Sequence, residues 1–473
     1  MRRLLWILAL ASLVAVAGCL GGTDDDLDAA EAEEQQAGTG HEMTFANETL
    51  IDDTRAGGEP VIATTSEGSL LVSAHPGSTH YHPSDETGHV GSEFVTPTSG
   101  QSYLWRSTDD GDTWTHIGTP GAGEAGPRGL GLGISDPDFT VDGDRIYRTD
   151  LLALASAPVD WSDDDGQTWV QGNPVASEGV VDRQWLASHN GTVYFTANYF
   201  APDPGRHVLA SEDGLVWERR GDLPGDCGAD FVASPHDGTL YAGCGDGIAV
   251  STDDAQSWEQ HTIPGHEGAS ARMTEPAVDG AGNVWMAIQE NETEMSIAGS
   301  PDQGETWPWI HDVTDEVRHA LNDTEDLTMM WPWISAGSEG RVAASIYASP
   351  TPPPSDEGPD DRSWNVVTVA AMDADTATGP AAHGYPVAED VHRGPVCQSG
   401  TFCQVSSLQG EDSGDRRLGD FFETTIGRDG KLFVTYSDTT TKPEDVVAHP
   451  GFVKQTGGPS FIAEDSDYRP TQG

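Results

Sequence analysis

Basic residues are scarce in this sequence. Lys and Arg account for only 23 of 473 residues, against 78 Asp and Glu, and the formal net charge is -55. There are three lysines, Lys431, Lys442 and Lys454. Because no basic patch is available to neutralise phosphates, we do not expect nucleic acid as a partner. Molar salt shortens the Debye length to about 3 Å and would screen the self-repulsion of so many carboxylates, so the composition predicts a protein of an extreme halophile.

Long apolar runs are almost absent as well. The main one, Leu4 to Ala17, follows Met1-Arg2-Arg3 and is too short to span a bilayer comfortably. It ends in Val16-Ala17-Gly18-Cys19, which resembles the lipobox of lipoproteins. The resemblance implies a signal peptide over residues 1–18, lipidation of Cys19, and a protein tethered at the extracellular face of the cell membrane. The alternative is an ordinary membrane anchor in which Cys19 has no role.

Apolar residues are also rare between Leu20 and His41, where Asp, Glu, Gly, Ala and Gln predominate. Such a segment cannot bury enough surface to offset the entropy lost on ordering. We therefore predict an acidic disordered linker over residues 19–43, a folded domain over residues 44–462 and a disordered tail over residues 463–473. We expect the folded chain to be a monomer.

Cysteine is limited to four residues besides Cys19: Cys227, Cys244, Cys397 and Cys403. Three pairings are possible, and the local one, Cys227 with Cys244 and Cys397 with Cys403, is the most economical. Two such disulfides agree with export to an oxidising compartment. A zinc site made of the four thiols is disfavoured, because neither pair has the two-residue spacing usual for zinc.

Five segments share a motif that begins Ser-x-Asp and ends in Trp. They start at Ser107, Ser162, Ser211, Ser251 and Ser300 and end at Trp114, Trp169, Trp217, Trp258 and Trp307. Ser and Asp side chains can bond neighbouring backbone amides, Gly supplies a positive φ, and Trp is a large apolar plug, so each motif predicts a self-locking hairpin turn. Successive motifs lie 40 to 55 residues apart, a period that fits one four-stranded propeller blade.

A second repeat consists of two apolar runs joined by a two-residue turn that ends in Gly. It occurs seven times, at Glu67-Gly68, Asp142-Gly143, Asn190-Gly191, Asp237-Gly238, Ala281-Gly282, Glu339-Gly340 and Asp429-Gly430. Together the two repeats predict an all-β fold, a β-propeller of four-stranded antiparallel blades. We predict seven blades, with six as the alternative because the last two units lack the Trp motif.

The Trp motif resembles the Asp-box, or bacterial neuraminidase repeat, and from about residue 45 to 460 the chain is similar to the sialidase-like propeller superfamily. In that family the box lies at the outer edge of a blade, away from the catalytic funnel. The boxes therefore bear on fold and not on activity.

The resemblance places function in the funnel, where the inner strands begin. Recurrent acids and rings there could bond the hydroxyls and stack on the faces of a sugar. The predicted ligand-binding residues are Glu59, Asp136, Trp185, Glu275, Trp331, Trp333, Asp420 and Phe421. Alternatively, the acids cap inner strands, pair with Arg183, Arg416 and Arg417, or only solvate the surface.

A sialidase-like site would need three arginines, a Tyr nucleophile with a Glu partner, and an Asp acid/base. The candidates are Asp182, Arg183, Arg417, Glu423 and Tyr436. The chain departs from the family at Glu59-Pro60-Val61-Ile62, where sialidases carry an Arg-Ile-Pro segment. Two interpretations remain: a lipid-anchored propeller that recognises a carbohydrate or a surface protein, and an exo-sialidase-like glycoside hydrolase with a non-standard active site.

A histidine cluster follows the first pair of apolar runs. His80 and His82 form a His-x-His segment, which places both rings on one face of an extended chain, and His75 lies just before them. These three residues are candidate ligands for a divalent metal. Calcium on the acid-rich loops is a second possibility, although no twelve-residue Ca loop is present, so a divalent metal, Ca or Zn, is the only cofactor that the sequence offers. A loop whose rings merely pack or form hydrogen bonds is the alternative.

Overall fold

Short apolar runs separated by Gly-containing turns fold into strands throughout the computed structural model. It describes residues 42–76, 96–97, 102–117, 124–125, 134–152, 154–176, 179–266, 275–376, 381–398, 403, 415–443, 445, 447–464 and 466. The predicted signal peptide, the lipidation site Cys19, nearly all of the linker and most of the tail lie outside these residues, as do His80 and His82. In the described part of the chain, no helix has the length and apolar character needed to cross a membrane.

The first half of the chain supplies three complete blades and the strand pair that precedes them. Before blade 1 come β1 (Thr44–Phe45) and β2 (Thr49–Leu50). Blade 1 contains β3 (Gly58–Thr64), β4 (Leu70–His75), β6 (Tyr103–Ser107) and β7 (Thr115–Ile117), while β5 (Thr96–Pro97) pairs with β8 (Glu124–Ala125). Blade 2 contains β9 (Ile134–Asp142), β10 (Arg145–Leu152), β11 (Ala157–Ser162) and β12 (Pro174–Ala176). Blade 3 contains β13 (Val180–His189), β14 (Thr192–Ala201), β15 (Gly205–Ser211) and β16 (Glu218–Asp222).

The second half supplies the other four blades. Blade 4 contains β17 (Cys227–Ala233), β18 (Leu240–Cys244), β19 (Gly247–Ser251) and β20 (Glu259–Thr262), and blade 5 contains β21 (Ala277–Val278), β22 (Val284–Asn291), β23 (Glu294–Ser300) and β24 (Trp309–Asp312). Helix α1 (Thr314–Ala320) leads to blade 6, with β25 (Thr328–Ala336), β26 (Val342–Ser349), β27 (Ser363–Ala371) and β28 (His383–Arg393). Blade 7 contains β29 (Thr424–Ile426), β30 (Leu432–Asp438) and β31 (His449–Gly457).

The amino-terminal strands complete blade 7. β1 pairs with β31 through Thr44 and Gly457, and β2 pairs with the same strand through Thr49 and Phe452. The ring is therefore closed by hydrogen bonds between the two ends of the folded domain. The predicted all-β, seven-bladed fold is confirmed, and the six-bladed alternative is wrong.

The box turns join the third and fourth strands of blades 1 to 5, as predicted. In blade 2, Ser162 Oγ donates to Asp164 Oδ1 at 2.9 Å and accepts the N–H of Gly166 at 3.0 Å. Asp164 accepts the backbone N–H of Thr168 at 2.8 Å and its hydroxyl at 2.6 Å. These hydrogen bonds hold the pKa of Asp164 below its usual value, and the bond from the Thr168 hydroxyl has the largest effect. The turn thus satisfies its own polar groups.

The two faces of the ring differ in the length of their connections. The inner strand of each blade starts at one face, which we call the upper face, and the opposite face carries the two-residue hairpin turns and the boxes. On the upper face, the connections at 76–102, 350–362 and 394–423 are much longer. Because long loops on a rigid scaffold commonly carry function, the upper face is the one to examine for a site.

Candidate functional site

The inner strands bulge where they leave the upper face. Glu59, Asp136, Arg183 and Trp331 have φ between 48° and 56°, and the pairing register with the second strand shifts beside each of them. Residues other than Gly seldom adopt this left-handed conformation, which costs about 1–3 kcal/mol each. A bulge re-aims side chains and is common beside functional sites. The repeated strain marks this level of the funnel as the candidate site.

Asp420 is the centre of a charged network at this level. Arg416 donates to its two carboxylate oxygens at 2.6 and 2.7 Å, and Arg183 forms a further ion pair with it. The backbone N–H of Asp420 donates to Glu59 Oε1 at 2.9 Å. Burial alone would lower the pKa of Arg416, but the nearby carboxylates, of which Asp420 has the largest effect, raise it above its ordinary value. The two guanidinium groups are thus held by acids of this chain.

Asp182 and Asp136 form a close carboxyl pair beside that network. Asp136 Oδ2 accepts the backbone N–H of Arg183 at 3.2 Å. Burial raises the pKa of Asp182 to about 7, and both the charge of Asp136 and a hydrogen bond to it add to the shift. Asp182 is half-buried rather than sealed. Near neutral pH, Asp182 can therefore hold and exchange a proton.

A second group of acids lies deeper, at the inner strands of blades 2, 4, 5 and 7. We call Asp138, Asp230, Glu275 and Glu423 the channel carboxyls; all four are buried. Burial is the first cause that raises the pKa of each, and the charges of its fellow members add to it for Asp138, Glu275 and Glu423. For Asp230 burial raises the pKa to about 7, while the Arg183 charge opposes the shift.

The hydrogen bonds of the channel carboxyls are incomplete within the described residues. Asp138 accepts the N–H groups of Phe139 at 2.7 Å and of Leu186 at 2.6 Å, and Glu423 Oε2 accepts that of Ile62 at 3.0 Å. Asp230 Oδ2 and Glu423 Oε1 have no hydrogen-bond partner there. An ionised carboxylate in such surroundings is costly, which favours the protonated acids.

Three predicted ligand-binding rings fill the axis. Trp185 of blade 3 lies 5.1 Å from Phe421 of blade 7 and 5.9 Å from Trp333 of blade 6, measured between ring centroids. Their side chains are 1–2% exposed. We call these three residues the aromatic plug. Because the rings contact one another across the axis, no sugar can stack on them in this conformation.

The other predicted ligand-binding residues are buried as well. Glu59 is fully buried, and Asp136, Glu275, Trp331 and Asp420 are at most 9% exposed. The ring of Trp331 packs edge-on against Tyr347, at 6.1 Å. The structure therefore brings the predicted acids together around the axis but presents little of their surface to solvent.

The candidate nucleophile pair is separated by the fold. Glu423 faces blade 1, where it accepts the N–H of Ile62. Tyr436 is buried in an apolar cluster with Tyr347, and burial first, then the charge of Glu48, raise its pKa well above the ordinary value. Arg417 lies apart from both: it is paired with Asp415 at 2.6 Å.

His75, the one described member of the histidine cluster, is fully buried at the end of β4. Burial, reinforced by the charge of Arg416, lowers its pKa to about 3, so the ring is neutral at ordinary pH. Within the described residues, no group of three or more His, Cys, Asp or Glu side chains is arranged to hold a metal ion. The predicted partners His80 and His82 lie outside those residues, and a divalent metal there stays a prediction.

Both predicted disulfides are confirmed. Cys227 and Cys244 join the first two strands of blade 4, and Cys397 and Cys403 join the start of the connection from blade 6 to blade 7. Both lie at the upper face, so they stabilise the face that carries the long loops.

Sequence reasoning missed an exposed apolar patch on the upper face. Phe200 is 56% exposed, Val180 43% and Leu154 38%. The backbone N–H of Val181 donates to the carbonyl of Leu154 at 3.0 Å, which joins blades 2 and 3 here. We call Leu154, Val180 and Phe200 the apolar patch. Val180 and Phe200 lie at the paired ends of β13 and β14, and Leu154 lies in the turn between β10 and β11, so the three residues, which are 20 or more positions apart in sequence, are brought together only by the fold.

No protein-family model matches the chain, and no curated protein matches it. Among solved structures, it is similar to one described as YCF48 bound to D1 peptide, with 11% identity, a TM-score of 0.47 and coverage of 88% of this chain and 98% of that one. A Hadza microbial sialidase has 15% identity, a TM-score of 0.39 and coverage of 64% and 65%. Trypanosoma rangeli sialidase in complex with 2,3-difluorosialic acid has 14% identity, a TM-score of 0.37 and coverage of 85% and 54%.

The fold is a seven-bladed β-propeller of four-stranded antiparallel blades, with box turns in blades 1 to 5. Structural likenesses as remote as those above add no argument about activity, substrate or partner.

Proposed function

We propose that this chain is a recognition propeller, lipid-anchored through Cys19 at the extracellular face of the membrane, which binds a carbohydrate or a surface protein through its upper face. The observation that carries the proposal is the state of the funnel. Its acids and arginines are bonded to one another, and the aromatic plug occupies the axis. Such a centre supports a rigid scaffold better than it accommodates a substrate.

The apolar patch supplies what a binding face needs. Phe200 presents more than half of its surface at the level of the long loops, and an exposed ring can stack on a sugar or enter a pocket of a partner protein. An apolar group of this kind is costly to leave in water, and such exposed patches commonly mark interaction sites.

The proposal is tested by comparing variants of the apolar patch on a glycan array and on intact cells. Phe200→Ser should abolish the binding seen with the unmodified protein. Val216→Ser is the matched control, because Val216 is 65% exposed in the blade 3 box, on the lower face. Equal binding by both variants, or loss in both, would contradict recognition through the upper face. Cys19→Ser should release the protein from the membrane fraction if the anchor is as proposed.

A glycoside hydrolase is the second candidate, and the Asp136–Asp182 pair favours it. Asp182 is half-buried, and its pKa of about 7 suits an acid that must be protonated near neutral pH. Fluorogenic glycosides, sialosides included, test it at molar salt. Turnover that is lost in Asp182→Asn and kept in Glu259→Gln, a change of an exposed acid in blade 4, would establish the hydrolase and displace the first proposal.

A further inference from the structure

Four Asn-x-Thr segments in the sequence match the acceptor motif for N-linked glycosylation, in which x is any residue except Pro. They begin at Asn47, Asn190, Asn291 and Asn322. A sugar chain joined to an asparagine is bulky and must project into solvent, so the motif predicts a surface position in an exported protein. In all four segments the asparagine is exposed. Exposure of the asparagine alone therefore does not distinguish the four.

Three of these asparagines already have a structural role. Asn190 is the first residue of the two-residue turn between β13 and β14, with a φ of 50°, a conformation in which Asn is favoured. Asn291 Oδ1 accepts the N–H of Thr293 at 2.7 Å and its hydroxyl at 2.6 Å, which stabilises the β22–β23 hairpin. Asn322 lies just after helix α1, with a φ of 60°, in the left-handed conformation that commonly ends a helix. The fold accounts for asparagine at each of these positions without a glycan.

Asn47 has no such role. It lies in the segment that joins β1 to β2, and within the described residues its side chain forms no hydrogen bond. It also lacks the positive φ of Asn190 and Asn322. Neither a turn nor a helix end therefore requires asparagine here, and the fold leaves the motif at Asn47 without a structural explanation.

The whole motif is accessible at this position. Asn47, Glu48 and Thr49 are all exposed, whereas the Thr of each of the other three segments is only partly exposed. The Thr49 hydroxyl makes one long hydrogen bond, to the carbonyl of Phe452 at 3.4 Å. The two strands beside the motif pair with β31, and in the described part of the chain no strand pairs with their other edge. A transferase can therefore reach both the amide and the hydroxyl, and the open edge leaves room for a sugar chain.

We propose that Asn47 carries an N-linked glycan. The inference rests on the proposed location at the extracellular face of the membrane, because the motif is used in exported proteins. In the transfer step, Nδ2 of Asn47 forms a bond to C1 of the first sugar, and the C1–O bond to the phosphate of a lipid-linked sugar donor breaks. The electron pair of that bond stays on the phosphate oxygen, and one amide proton passes to the released phosphate.

Mass spectrometry of the full-length protein from its native cells tests the site. Cleavage after Glu and Asp residues gives peptides that contain Asn47 and none of the other three asparagines. We expect such a peptide to carry the added mass of a sugar chain, with fragment ions that place the sugar on Asn47. If the peptide is found only without the added mass, the inference is wrong, whatever the state of the other three segments.

Variants expressed in the same cells show whether the motif directs the modification. Asn47→Gln and Thr49→Ala should each remove the added mass completely, and Thr49→Ser should keep it, because Ser also completes the motif. Asn291→Gln is the matched control, since it removes another exposed asparagine of the same motif and should leave the sugar on Asn47 unchanged. Retention of the added mass in Thr49→Ala would overturn N-linked transfer at this position.

The location of the protein separates this inference from the proposed function. Protein that is found outside the membrane without a sugar on Asn47 overturns the inference and leaves the proposed location in place, whereas sugar-free protein retained inside the cell overturns both. Asn47→Gln should bind the glycan array as the native sequence does, because Asn47 lies beside blade 7 and the apolar patch lies on blades 2 and 3. Loss of the sugar and loss of recognition are therefore separate results.

Discussion

Replacing Asp230 by Asn should make the stability of the propeller less sensitive to alkali. Asp230 is 2% exposed, and its Oδ2 has no hydrogen-bond partner among the described residues. Burial raises its pKa from 3.8 to about 7. The folded state therefore holds a proton that the unfolded state has already lost above about pH 4.

The sign follows from proton linkage. Between the unfolded and the folded pKa, the folded protein binds more protons, so its stability falls as pH rises, by about 1.4 kcal/mol per pH unit for one group. Over about three units the loss approaches about 4 kcal/mol at pH 8. Asn does not titrate, but a buried amide without full hydrogen bonding costs about 1–3 kcal/mol. We expect Asp230→Asn to be about 2 kcal/mol more stable than the unmodified protein at pH 8.

The measurement is the free energy of unfolding from denaturant titrations at constant high salt. At about pH 4.5 the benefit has fallen to about 1 kcal/mol while the amide cost of about 2 kcal/mol remains, so the variant should be about 1 kcal/mol less stable there. Glu259→Gln, an exposed change in the same blade, should show no such crossover. A difference between Asp230→Asn and the unmodified protein that is the same at both pH values would refute the reasoning, because it would mean that Asp230 does not hold the extra proton.

Two further changes test the scaffold. Ser162→Ala removes the acceptor of the Gly166 N–H and the donor to Asp164 and should cost about 1–3 kcal/mol of unfolding free energy, whereas Ser66→Ala, which removes a surface hydrogen bond to Asp144, should cost less than about 1 kcal/mol. Equal losses of unfolding free energy in the two variants would show that the hydrogen bonds of the box turn contribute no more to stability than an ordinary surface hydrogen bond. Replacing Cys227 and Cys244 by Ala opens a loop of 17 residues and should cost about 3 kcal/mol, against about 2 kcal/mol for Cys397 and Cys403, whose separation is 6; the reverse order in denaturant titrations would contradict the chain-entropy argument.

The blades were predictable because their signals are local. A Gly-containing turn such as Asn190-Gly191 and the box from Ser162 to Trp169 specify their own hydrogen bonds within a few residues. The two disulfides were predictable because they are the pairing of the four cysteines with the shortest sequence separations. Strands β1 and β2 were not predicted, because two residues each carry no periodic pattern and their partner lies at the other end of the domain.

The site was predictable only in composition. The sequence predicted acids and aromatic rings at the start of the inner strands, and the fold gathers them there. The fold also buries these side chains, so that little of their surface is accessible to a ligand. Trp185 could face either a bound ligand or the ring of Trp333, and the outcome depends on how closely opposite blades approach the axis. No local sequence pattern encodes that distance. The positive φ of Arg183 likewise arises from a bulge in β13, which no local pattern in the sequence indicates.

The closure of blade 7 has a consequence for the order of folding. Thr44 and Gly457 pair across the whole domain, so the first folded residues to be synthesised are among the last to find their partner. Until β31 has formed, blades 1 to 6 can only make an open arc with uncovered sides, which is the form most exposed to aggregation and proteolysis. A chain that ends before β31 leaves the amino-terminal segment without its partner strand, whereas a circular permutant that places β1 directly after β31 would turn this pairing of distant segments into a local hairpin.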